Sequence, residues 1–150
     1  MAGEYDIDFR KHPEQYRYSA DEKGVFKVEP YKSELLPLWR YRDEQAARQS
    51  ARAIREKYEA YRRVEDFVGM DMARKYLQMG FTRAMRYAKY PGGRKYDEDG
   101  KVRDALSWAD VSKREAAVVF REAWAKVRED PEYELLKQVH MKRGLRRDRS

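Results

Sequence analysis

The chain has 150 residues, a common size for one domain and long enough to bury roughly 70% of its unfolded surface. It contains no cysteine, which excludes disulfides and thiolate metal sites, and no run approaches the roughly 18 apolar residues of a membrane-spanning helix. Lys and Arg outnumber Asp and Glu by 34 to 27, a net charge of +7, and such a surface favours anionic partners: nucleic acid, phosphorylated metabolites or anionic lipid.

Charged residues make up 41% of the chain, well above the usual figure of about 25%. Three Trp, twelve Tyr and five Phe nevertheless supply the material of an ordered core. The first ten residues contain no apolar stretch of the kind that directs secretion, so the expected location is the cytoplasm.

Residues 4–17 mix acids, bases and aromatics without period. His12-Pro13-Glu14 can start one short turn, with Pro13 at its first position. Asp21-Glu22-Lys23-Gly24 reads as a turn, and residues 25–28 as a short strand stopped by Pro30, whose partner is not obvious, residues 7–9 being one candidate. Ser33 is the expected N-cap of a short helix ending near Pro37 and Trp39. Asp43 caps a clearer helix over residues 44–65, in which Ala46, Ala47, Ser50, Ile54, Tyr58 and Tyr61 share one face. After a break at 66–69, a helix is expected over 70–89, ended by Pro91-Gly92-Gly93. Asp97-Glu98-Asp99-Gly100 reads as a solvated turn. An EF-hand beginning at Asp97 would need Glu where Trp108 stands. Further helices are expected over 112–129 and 132–143, divided by Asp130-Pro131, with Gly144 as cap and residues 145–150 as a basic tail. The reading is one all-α or strongly α-rich domain of about five helices: an irregular part to residue 42 with a minor β element, a helical core over 43–144, and the tail.

The helix over 70–89 stands out. Met70, Ala73, Leu77, Phe81, Ala84 and Ala88 form one apolar stripe, and Met72, Tyr76 and Met79 a second. A helix apolar on two sides packs between neighbours. Its remaining stripe is polar: Asp71, Lys75, Gln78, Thr82, Arg86 and Lys89, with Arg74 at the margin. Buried polar groups need partners, so two readings compete. The stripe is either a structural network drawing acids from elsewhere, such as Glu34 or Asp66, or the floor of a cleft. Charge counting favours the cleft, because residues 72–96 hold seven basic side chains and no acid. Gly80, mid-helix, implies a tight helix crossing or close approach of a ligand.

The Gly92-Gly93-Arg94-Lys95 loop can wrap a phosphate with backbone N–H groups, although it is not a P-loop. His12 and His140, the only histidines, lie far apart and form no zinc motif. No cofactor and no metal is expected. No nucleophile-elbow sequence supports a serine triad.

The runs Pro30-Tyr31-Lys32-Ser33-Glu34, Leu36-Pro37-Leu38-Trp39-Arg40, residues 66–75, residues 77–84 and Gly92-Gly93-Arg94-Lys95-Tyr96 resemble an uncharacterised family of short proteins. It is a "domain of unknown function" family of cellular microbes and tailed phages. The resemblance covers about residues 5–140. It implies a free-standing one-domain protein and no particular activity.

The leading functional expectation is a basic, nucleic-acid-associated binding protein using a cationic helix-plus-loop face: Arg74, Lys75, Gln78, Arg83, Arg86, Arg94 and Lys95. The cationic end of the chain would add non-specific affinity. The second is a small metal-independent enzyme acting on a phosphorylated or nucleotide-like substrate, with Asp71, Lys75 and Glu34 as its candidate catalytic groups. The third is a structural or interaction protein, a helical homo-oligomer.

Overall fold

A computed structural model describes residues 6–90, 96–101 and 110–149. Within them five α-helices follow one another: α1 (Tyr31–Leu35), α2 (Glu44–Arg63), α3 (Phe67–Lys89), α4 (Val111–Arg128) and α5 (Pro131–Arg149). Two 3-10 turns, Pro13–Gln15 and Leu36–Leu38, complete the regular structure. This is the expected α-rich domain, with no strand among the described residues.

Side-chain caps set three of the helix starts. Asp43 accepts from the Ala46 amide at 2.8 Å, Asp66 from Gly69 at 3.1 Å and Asp110 from Lys113 at 3.1 Å, each satisfying one of the amides a helix start leaves without a partner. The Asp66 cap corrects the expected break at 66–69. The chain turns instead at Val64 and Glu65, where Glu65 takes φ 54°, and α3 begins three residues earlier than its apolar stripe suggests. At α1, Ser33 is not the cap. It lies inside the helix, and the Glu29 carboxylate receives both its amide and its hydroxyl at 2.7 Å.

The expected strand is a turn. Gly24 has φ +92°, a conformation that suits glycine, and its carbonyl accepts from the amides of Lys27 and Val28 at 3.0 Å. Among the described residues only one bridge of the anticipated pairing forms, between Asp8 and Glu29. The tight turn uses up the backbone that a ladder would need. At the other end, Gly144 does not cap α5, which continues to Arg149. No proline follows it, and the Leu- and Arg-rich continuation favours helix.

The centre of the molecule is α3, packed against both α2 and α4 and touched by α1 and α5. Met70, Met72, Ala73, Tyr76, Leu77, Ala84 and Ala88 are all fully buried. Two glycines permit the close crossings. A Cβ on Gly69 would stand 2.5 Å from the Tyr61 ring of α2, and one on Gly80 2.5 Å from the Phe120 ring of α4. Gly80 therefore serves a helix crossing.

Tyrosine hydroxyls clamp segments distant in sequence onto carboxylates. Tyr31 donates to Asp66 at 2.6 Å, Tyr61 to Glu34 at 2.7 Å and Tyr58 to Asp130 at 2.6 Å. Burial, then the adjacent carboxylate, pushes each of these phenols well above its ordinary range. Bonds to a charged acceptor contribute more than neutral ones, about 1.5–3 kcal/mol each.

Candidate functional site

The polar stripe of α3 divides into two parts. The first turn and a half holds Asp71, Arg74 and Lys75, which are 0%, 3% and 1% exposed. Asp71 and Arg74, three residues apart, form an ion pair at 2.7 Å. Tyr133 of α5 donates to the same carboxylate at 2.6 Å, and Tyr16 donates to its other oxygen. The remaining guanidinium N–H groups donate to backbone carbonyls of Ser19, Ala20 and Asp21 at 2.7–3.2 Å and to the Gln78 amide oxygen at 2.8 Å. Burial works against the Arg74 charge, yet the Asp71 carboxylate together with the Tyr133 and Tyr16 side chains outweighs it and holds the guanidinium's pKa above its ordinary value. Gln78 returns a bond to Ala20 at 3.2 Å, and Thr82 donates to Glu22 at 2.6 Å.

This network straps residues 19–23 along α3. Of the acids expected from neighbouring segments, Glu34 and Asp66 do not join it, whereas Glu22 does. Arg74 finds its acid on its own helix, and its other acceptors are main-chain carbonyls, which carry no signal in a count of charged residues. Glu34 and Asp66 are engaged elsewhere. Arg10 forks onto Glu34 at 2.7 and 2.8 Å and lies 3.8 Å from Asp66. Glu34 thus shares no partner with Asp71 or Lys75 among the described residues.

Lys75 differs from Arg74. Its Nζ donates to Ser19 Oγ at 3.1 Å and to the Lys23 carbonyl at 2.7 Å, and it lies 5.1 Å from the centre of the Tyr16 ring. Burial lowers its pKa from the ordinary 10.5 to about 8, against the pull of the Asp71 carboxylate. Lys75 lines a cavity of about 540 Å³, walled by residues 15–19 on one side and Lys23, Gly24, Lys27 and Val28 on the other.

Past Gln78 the stripe opens to solvent. Arg83, Arg86 and Lys89 are exposed. Arg83 lies beside Phe26, Lys23 and Lys27 in one shallow depression, and beside Arg86, Lys89 and Tyr90 in the next. Glu22 and Arg83 border both depressions, so together they form one groove. The Glu22 carboxylate in its wall is taken by Thr82. Phe26, 44% exposed, lines the first of these depressions with Lys23, Lys27 and Arg83. Of the seven sequence-expected binding residues, Arg83 and Arg86 stand in this groove, Arg74, Lys75 and Gln78 in the buried network, and Arg94 and Lys95 outside the described residues. Lys23, Lys27 and Phe26 have no signal of their own, because residues 25–28 read as a strand and the turn read at 21–24 does not by itself place them beside α3.

Among the described residues, no cluster of three or more His, Asp or Glu side chains is placed to hold a metal ion, and no helix is long and apolar enough to cross a membrane. In the 97–100 turn the Asp97 carboxylate is occupied by the amides of Asp99 and Lys101, both at 2.9 Å.

The profile of the family described as Domain of unknown function (DUF4385) matches residues 2–143, and the chain belongs to that family. Comparison with curated proteins and with solved structures gives no significant match.

Proposed function

We propose that this member of the DUF4385 family binds single-stranded nucleic acid along the groove between the 22–27 turn and the second half of α3. The observation that carries the reading is an exposed aromatic residue sharing one depression with three basic ones: Phe26 with Lys23, Lys27 and Arg83. Non-specific strand binding combines two elements, a basic channel that follows the phosphates and aromatic faces on which bases stack. Tyr90, beside Arg86 and Lys89, supplies a second face farther along. Shallow, open relief suits an extended polymer better than a small substrate. The helix gives the cations a fixed spacing, because Arg83, Arg86 and Lys89 recur every three residues and project from one side.

The two elements separate experimentally. Stacking is worth about 1–3 kcal/mol per base and depends little on salt. Phe26→Ala should therefore lower affinity for a labelled single-stranded oligonucleotide by about that amount, in fluorescence anisotropy, with the salt dependence unchanged. Binding that is indifferent to Phe26→Ala would rule out the groove as the strand's path.

A further inference from the structure

Among the described residues that line the two depressions of the groove, Glu22 is the one acid. Its neighbours there include five cations, Lys23, Lys27, Arg83, Arg86 and Lys89. Glu22 borders both depressions, so it stands where they meet. A channel that only follows phosphates gains nothing from an anion in its wall, because like charges repel.

One bond from the fold reaches this carboxylate: Thr82 donates to Oε1 at 2.6 Å. No ion pair engages it among the described residues, although cations flank it. Each carboxylate oxygen offers two lone pairs. Oε1 therefore keeps one acceptor site beside the Thr82 bond, and Oε2 keeps both. Glu22 is half-buried, and in such a place a charge-assisted bond is stronger than in open water. The bond from α3 also holds the carboxylate in one position, which lowers the cost of ordering it around a ligand.

Two adjacent acceptors suit a partner with two adjacent donors. The bases of a single strand expose their pairing edges, and they differ there. Guanine presents a ring N1–H beside an amino N2–H, pointing the same way. Adenine and cytosine present one amino group next to a ring nitrogen that accepts. Thymine and uracil present a ring N–H between two carbonyl oxygens, which a carboxylate repels.

We infer that Glu22 makes the groove selective for guanine: a base stacked on Phe26 turns its N1–H and N2–H to the Glu22 carboxylate, while the cations on either side hold the flanking phosphates. This selectivity rests on the strand-binding reading of the groove.

The test is fluorescence anisotropy of the full chain with short labelled oligothymidylates that carry guanine, hypoxanthine, adenine or cytosine at one central position. The guanine strand should bind about five- to tenfold tighter than plain oligothymidylate. Hypoxanthine keeps N1–H and lacks the N2 amino group, so its strand should fall between the two. Adenine offers a purine face without the donor pair, and its strand should exceed plain oligothymidylate by about twofold at most, which separates stacking from recognition of the edge. Glu22→Gln can still accept from Thr82, but it loses the charge and turns one acceptor into a donor. It should erase the guanine preference and bind plain oligothymidylate about twofold tighter, because an anion has left the groove. Thr82→Ala removes the bond to the strap and leaves the carboxylate, so the guanine preference should survive it. Equal binding of all the strands overturns the inference and leaves the groove reading intact. A guanine preference that persists in Glu22→Gln, or that is lost in Thr82→Ala, overturns it as well and makes Glu22 a fastening of the strap alone. Absence of binding by every strand overturns the inference and the groove reading together.

Discussion

The two halves of α3 carry the same kinds of residue and use them in opposite ways. Over residues 71–78 an acid, an arginine, a lysine and a glutamine are spent on the 19–23 strap, on Tyr16 and on Tyr133. Over 83–89 two arginines and a lysine stand in solvent. The helix is the same, and the difference is the neighbour. Where a turn of backbone lies across the helix, its carbonyls accept from the cations. Beyond Thr82 that turn has ended and the cations remain available. A basic helix face therefore reveals its role through the acceptors laid against it, and these are main-chain atoms as often as acids.

The largest expected effect falls in the buried half. Asp71→Asn leaves Arg74 charged, dry and without its counter-ion, and removing one partner of a buried pair costs about 3–5 kcal/mol. Urea denaturation should show a loss of that size. A loss below about 1 kcal/mol would mean that the strap, and not the ion pair, holds Arg74. Next comes the crossing of α3 with α4. Gly80→Ala gains up to about 1 kcal/mol of helix propensity, but its Cβ would lie 2.5 Å from the Phe120 ring. Overpacking of that kind costs about 1–3 kcal/mol. The variant should be destabilised, and should recover in the pair with Phe120→Leu.

These two variants also mark what the sequence makes legible. The apolar stripes of α3 are visible at spacings of three and four, because every member is buried or half-buried against the rest of the fold. Asp43 is visible as a cap because it precedes a clean period. Gly80 is visible as a close approach, although only the structure names Phe120 as the visitor. The Tyr–carboxylate clamps are not legible, since Tyr133 and Asp71 are brought together by the packing of α5 and nothing in their spacing pairs them. The strap is hidden for a related reason. Its bonds to Arg74 come from the carbonyls of Ser19, Ala20 and Asp21, which any sequence would supply. Residues 25–28 mislead because their β-branched and aromatic side chains are buried or exposed by a glycine turn, in which strand-like composition loses to a positive φ at Gly24.

A smaller effect comes from Lys75. Its folded pKa of about 8 lies below the ordinary 10.5. Between those values the unfolded chain holds more protons than the folded one, so this group makes stability rise as pH rises from about 8 toward 10.5. The buried phenols act oppositely. Tyr16, Tyr31, Tyr58, Tyr61, Tyr76 and Tyr133 are all pushed above their ordinary value of 10.0, chiefly by burial. Unfolded tyrosines ionise near pH 10 while these do not, so stability falls beyond that point. Denaturation midpoints should peak between about pH 8 and 10. Lys75→Met should abolish the rise and leave the alkaline fall intact. A rise that persists in the variant would assign it to another group.

The smallest effect on stability and the largest on binding are expected in the open half. Arg83→Ala, Arg86→Ala and Lys89→Ala should each change stability by about 0.5 kcal/mol or less. The decisive measurement is the affinity of the triple variant for a single-stranded oligonucleotide across a series of salt concentrations, beside the unaltered protein. Each phosphate that a cation no longer neutralises lowers the slope of log affinity against log salt by about 0.7. Division of α3 into a structural and a binding half predicts a slope shallower by about 2, with the denaturation midpoint unmoved. An unchanged slope, or a triple variant that binds as before but unfolds more readily, would contradict it and place these three cations with Arg74 as parts of the scaffold.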